Sequence, residues 1–109
     1  CPLTPDTRHL INEDSLRAMK PGIMIVNTSR GPIIDTKALA EALQVGEVSA
    51  AGIDVFEQEP ISGDESLLSA PNAILAPHAA WCSAAALPEL RRQTAQNVVD
   101  FFSETSGAQ

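Results

Sequence analysis

Arg30, Glu59 and His78 each stand just beyond a short apolar run of the 109-residue chain. The runs are Gly22-Ile-Met-Ile-Val-Asn27, Ala50-Ala-Gly-Ile-Asp-Val55 and Ala73-Ile-Leu-Ala76, and each has the length and composition of a buried strand. A guanidinium can grip an acid through its planar fork, and an imidazole can move a proton near neutral pH. A carboxylate beside that imidazole favours its charged form and orients the ring. Parallel strands of an open α/β sheet bind ligands just outside their carboxyl ends, so the three side chains are expected to converge at one edge as a catalytic set. Gly31, next to Arg30, permits close approach of a substrate.

The elements that must hold these residues alternate between helix and strand. Asn12 can cap a helix to about Met19, with Leu16 and Met19 turned inward, before Pro21-Gly22 stops it. The strand Ile23 to Val26 is continuously apolar, as expected of a parallel strand covered on both faces. Asp35 can cap a second helix to about Gln44, striped by Ala38, Leu39, Ala42 and Leu43 and ended near Gly46. A second strand is expected over Ala50 to Val55. Residues 57–72, with Pro60, Gly63 and Pro71, read as a long loop. A third strand, Ala73 to Ala76, leads into His78. The last helix is expected from Ser83 or Pro88 to Phe102, with Leu87, Leu90, Val98, Phe101 and Phe102 on its inner face. Proline in a helix interior costs about 3 kcal/mol, so Pro88 should fall in a first turn or kink the helix. Ser103 to Gln109 reads as a frayed tail.

This alternation implies an α/β fold, the second half of a Rossmann-like doubly wound parallel sheet, with three parallel strands and flanking helices. A complete doubly wound dinucleotide domain has about six strands and a glycine-rich turn after the first. No G-x-G-x-x-G occurs in the sequence. Residues 1–102 are therefore expected to be the C-terminal portion of such a domain with its final helix, and the first strand to have an open edge inviting self-association. A hydrophobic content of 44% supports a folded core, and a net charge of -7 argues against nucleic acid or an anionic membrane as partner. No apolar stretch approaches the roughly 20 residues that span a bilayer. Cys1 and Cys82 lack metal-ligand spacing, so no metal site and a reducing, cytoplasmic setting are expected. His9 is expected to be unrelated to the chemistry. Cys82, though near His78 in sequence, shows no group to activate it as a nucleophile.

Four ordered blocks carry a family resemblance: Cys1-Pro-Leu-Thr-Pro-Asp-Thr-Arg-His-Leu-Ile-Asn12, Val26-Asn-Thr-Ser-Arg-Gly31, Gly52-Ile-Asp-Val-Phe-Glu-Gln-Glu-Pro60 and Pro77-His-Ala-Ala-Trp81. Together they resemble the NAD-dependent D-isomer-specific 2-hydroxyacid dehydrogenases. Within that family the chain is most similar to the branch of glycerate dehydrogenases, phosphoglycerate-dehydrogenase-like enzymes and C-terminal-binding corepressors. Cys82 departs from it, replacing a larger aromatic. The resemblance implies NAD as cofactor, a small 2-hydroxy or 2-keto acid as substrate, a homodimeric parent, and Arg30, Glu59 and His78 as the catalytic set. It also implies that Asp54 holds the nicotinamide carboxamide and that Thr28 and Ser29 line the cofactor. Cys1, Pro2, Leu3, Thr4 and Thr7 would pass near its ribose and pyrophosphate linker. Arg30, His78 and Trp81 would border the nicotinamide as well, with Trp81 narrowing the substrate pocket. Two alternatives are an NAD-sensing, corepressor-like interaction protein and an inactive fragment. The chain by itself is expected to show no turnover, because it lacks the phosphate-binding turn and a separate substrate domain.

Overall fold

A computed structural model describes residues 1–106. The chain divides into two compact units, Cys1–Ala79 and a second beginning at Ala80. In the first unit, strands β1 (Ile23–Asn27), β2 (Val48–Ile53) and β3 (Ala73–Leu75) form a parallel sheet in the order β1-β2-β3. Helices α1 (Glu13–Ala18) and α2 (Thr36–Val45) precede and follow β1.

Local signals explain where the helices begin and end. Asn12 and Ser15 cap α1 reciprocally, each side-chain oxygen accepting the other residue's N–H at 3.0 and 2.8 Å. The Asp35 carboxylate accepts the Ala38 N–H at 3.0 Å, and α2 stops at Gly46, whose φ of 80° is the left-handed turn that glycine adopts without strain. The apolar stripe of α2, Leu39, Ala42 and Leu43, then packs with Leu16 against Val48, Ala51 and Ile53 of β2. Burial of this cluster drives the two helices onto the sheet.

Three expectations need correction. Strand β2 starts two residues before Ala50 and ends at Ile53. Gly46 reverses the chain at once, while the Asp54 carbonyl and carboxylate turn away to the amides of His78 and Ala79. Strand β1 is not covered on both faces: its Met24 and Val26, like Ile74 of β3, are about three-quarters exposed, because α1 and α2 share the other face. The segment 57–72 is not wholly irregular, since a 3-10 turn, Ser66–Leu68, buries Leu67 in the core.

A second 3-10 turn, Gly31–Ile33, follows Arg30. A Cβ on Gly31 would lie 1.9 Å from both the carbonyl carbon and the carbonyl oxygen of Phe56. No flexible side chain is there to yield, so Gly31→Ala should cost about 3 kcal/mol of stability, the upper end for overpacking. A denaturant titration reads the loss; an unchanged midpoint would show that this backbone contact is loose.

In the second unit, helix α3 spans Ala86–Ser106, and Ser83 Oγ accepts the Ala86 N–H at 3.1 Å ahead of it. Pro88 falls in the first turn, where proline is tolerated. The helix continues through Ser103 to Ser106, beyond the expected limit of Phe102, and the rest of the expected tail, 107–109, lies outside the described residues. Leu87, Leu90, Val98, Phe101 and Phe102 are exposed, because this unit has no second described helix or strand for them to pack on. Among the described residues no helix is long and apolar enough to cross a membrane.

Candidate active site

The carboxyl ends of the strands meet in register, with Asn27 opposite Ile53 and Ile53 opposite Leu75. At the end of β1, Asn27 is buried, and its Oδ1 accepts the Ser29 N–H while its Nδ2 donates to the Arg30 carbonyl, both at 3.0 Å. This side chain closes the turn that presents Arg30. The guanidinium is exposed and donates from Nη1 to the Ser29 carbonyl at 2.7 Å. Ser29 Oγ donates to the Cys1 carbonyl, which sets the N-terminal segment beside this turn. There the Thr4 N–H and Thr7 Oγ1 are 2.7 Å apart, and Thr7 Oγ1 donates to the Pro2 carbonyl at 2.8 Å.

Beyond β2, Asp54 is buried and organises the turn after β3. Its carbonyl accepts the His78 N–H and its Oδ1 accepts the Ala79 N–H, both at 2.8 Å. Those bonds hold His78 at a φ of 51°, a left-handed conformation that costs a non-glycine residue on the order of 1 kcal/mol. Strain of this kind survives only where surrounding bonds enforce it. Glu59 comes back from the loop: its Oε1 accepts the Phe56 N–H at 2.9 Å, and its Oε2 lies 2.8 Å from His78 Nδ1. The His78 hydrogen bond and then the Phe56 amide hold the Glu59 carboxyl below its ordinary 4.5. Both side chains remain more than a third exposed, so the pair adds little to stability but stays open to a small molecule. An apolar cleft of about 390 Å³ flanks it, lined by Phe56, Pro60, Ile61, Leu75 and Pro77.

Arg30, Glu59, His78, Asp54, Thr28, Ser29 and the turn Cys1–Thr7 thus lie at one edge of the first unit. Trp81 belongs to the second unit, where it is exposed. Asn27, which shapes the site, and the nearby pair His9 and Glu57 are absent from the sequence-based set. Asn27 could be found from its place at the end of an apolar run, where a short amide closes a turn. His9 and Glu57 carried no such local signal, yet His9 Nε2 and Glu57 Oε2 are 2.8 Å apart. Among the described residues no cluster of three or more His, Cys, Asp or Glu could hold a metal ion.

Residues 1–80 match the family described as D-isomer specific 2-hydroxyacid dehydrogenase, NAD binding domain. A glyoxylate reductase of Korarchaeum cryptofilum is 48% identical over 100 residues, which cover 92% of this chain and 30% of that protein. Among solved structures, the apo D-mandelate dehydrogenase of Rhodotorula graminis superposes with a TM-score of 0.80 at 39% identity, over 90% of this chain and 28% of that one. The D-lactate dehydrogenase of Aquifex aeolicus, solved with NAD and lactic acid, gives 0.78 at 34% identity, over 95% and 36%. The chain spans about 30% of the length of the curated relatives it matches. By this match over most of its length, the chain belongs to the D-isomer specific 2-hydroxyacid dehydrogenase family and forms part of the NAD binding domain.

Proposed function

We propose that the protein carrying this chain transfers hydride between NAD(H) and a small D-2-hydroxy acid or its 2-keto acid, with Arg30, Glu59 and His78 as its catalytic residues. The observation that carries the proposal is the 2.8 Å contact between His78 and Glu59 at the same sheet edge as the turn of Arg30. The donor set suits a dinucleotide. Thr4, Thr28 and Ser29 offer hydroxyls, and Cys1, Pro2, Leu3 and Thr7 lie on the turn bonded to Ser29, where they can border the ribose and its linker. Asp54 offers a carboxylate of the kind that accepts an amide N–H, as it already does from Ala79. NAD(H) supplies the hydride when bound.

The chain's own residues do the rest. Arg30 binds the substrate carboxylate through its fork and polarises the 2-keto oxygen. With His78 Nδ1 committed to Glu59, proton exchange falls to Nε2, which donates to the carbonyl oxygen in reduction and accepts from the hydroxyl in oxidation. Glu59 keeps the ring oriented through this contact. Trp81 completes this reading as the residue that narrows the substrate pocket. Exposed thiols at Cys1 and Cys82 accord with a reducing, cytoplasmic setting, and a homodimeric parent is part of the same reading. The test is the configuration of the product: full-length protein given NADH and hydroxypyruvate should yield D-glycerate on chiral chromatography. Formation of the L-isomer would refute the proposal.

A further inference from the structure

Glu57 lies two residues before Glu59 and plays no part in the chemistry described above. Its carboxylate nonetheless meets three residues, Thr36, His9 and Arg8. Oε1 accepts the backbone N–H and the Oγ1 hydroxyl of Thr36, both at 3.2 Å, at the first turn of α2. Oε2 lies 2.8 Å from His9 Nε2 and 3.5 Å from Arg8. Burial alone would raise this carboxyl, but the bonds from His9 and Thr36 outweigh it and hold it below 4.5. His9 adopts a φ of 48°, and its backbone is tied on both sides: its N–H donates to the Pro32 carbonyl at 2.8 Å, and its carbonyl accepts from Asn12 Nδ2 at 3.0 Å.

These contacts join the three segments that carry the candidate site. Residues 2–9 include the turn beside Ser29, residues 30–36 begin with Arg30, and residues 54–59 begin with Asp54 and end with Glu59. The junction is the peptide unit after Phe56. Its carbonyl packs so closely on Gly31 that no Cβ fits between them, and the N–H of the same residue fixes the carboxylate of Glu59. Whatever holds Glu57 therefore sets the distance between the turn of Arg30 and the carboxylate that orients His78.

We propose that the His9–Glu57 pair is a positioning device for the reaction, fixing Arg30 and Glu59 relative to each other through the Phe56–Glu57 backbone. This rests on the roles given to Arg30, Glu59 and His78 above. Misplacing a catalytic group by about 1 Å can cost a hundredfold in rate. The effect should thus be seen in turnover more than in folding.

The test uses the full-length protein with NADH and hydroxypyruvate, comparing Glu57→Ala, Glu57→Gln and His9→Asn. Asparagine tolerates the left-handed backbone at position 9 while removing the ring. In Glu57→Ala and His9→Asn, kcat should fall about tenfold or more, and the double variant should be no worse than the poorer single one, as for partners in one contact. Glu57→Gln, whose Oε1 still accepts from Thr36 and whose amide nitrogen can donate to the His9 ring, should recover most of the rate. Should Glu57→Ala fail to fold, His9→Asn carries the comparison. A kcat within about twofold of wild type in the folded variants, with only the melting temperature lowered, would make the pair structural and overturn the proposal. NMR of the His78 ring supplies a readout independent of turnover: the signal of the proton shared with Glu59 should broaden or shift in both variants. If the wild-type protein proves inactive on keto acids, the functional assignment falls, and an unchanged ring signal in the variants would dispose of the positioning role separately.

Discussion

Replacing His78 with alanine should lower the rate of keto-acid reduction by about 10²- to 10⁴-fold, the usual range for a positioned acid or base. The imidazole sits 2.8 Å from Glu59, and the backbone N–H groups of His78 and Ala79 both donate to Asp54, so the ring enters the reaction already oriented. Binding of NADH should change little, because Thr4, Thr28 and Ser29 remain. Glu59→Gln should cost less, near 10²-fold, since an amide can still hold the ring but places no negative charge beside it. The pH dependence has a definite sign. Glu59 sits below its ordinary 4.5 because of His78 and the Phe56 amide. A lowered carboxylate contributes its pairing in full above that ordinary value and loses it as the pH falls through the lowered one. Wild-type activity should therefore show an acid limb below 4.5, and Glu59→Gln should lack it.

Arg30→Gln should be comparably severe, through binding as well as rate. Removing one partner of a desolvated charge pair costs about 2–5 kcal/mol, or roughly 30- to 5,000-fold in kcat/KM. Arg30→Lys should recover only part of this, because a point charge cannot match both oxygens of a carboxylate in the plane the fork provides. The fold should not suffer. The Arg30 side chain is exposed and bonds the neighbouring Ser29 carbonyl, and the turn itself is closed by Asn27. Surface replacements of this kind stay within about 0.5 kcal/mol of stability, so the thermal midpoint should hold while kcat/KM collapses. A parallel loss of both would mean that Arg30 supports the fold and not the substrate.

What was legible in the sequence is what short-range chemistry determines. Asn12 and Asp35 start helices because a side-chain oxygen three residues away reaches an unpaired amide, and Gly46 ends one because it alone takes the left-handed turn cheaply. The position of Arg30, Glu59 and His78 beyond the strands was legible for a related reason, since the end of an apolar run marks the edge of a sheet. The two-residue displacement of β2 was not visible, because its limits depend on Asp54 choosing the amides of His78 and Ala79. Nor was the bare face holding Met24, Val26 and Ile74, which depends on both helices packing on the same side. His9 and Glu57 are 48 residues apart, and only the folded crossover brings them together.

The central assignment makes His78, held by Glu59, the proton donor in reduction of a 2-keto acid gripped by Arg30. The most direct measurement is single-turnover oxidation of NADH by full-length protein with saturating hydroxypyruvate, wild type beside His78→Ala. Consumption of NADH by the wild type, slowed at least 10²-fold in the variant with NADH affinity unchanged, is the result expected. Equal rates in the two proteins, or no consumption by either, would contradict it.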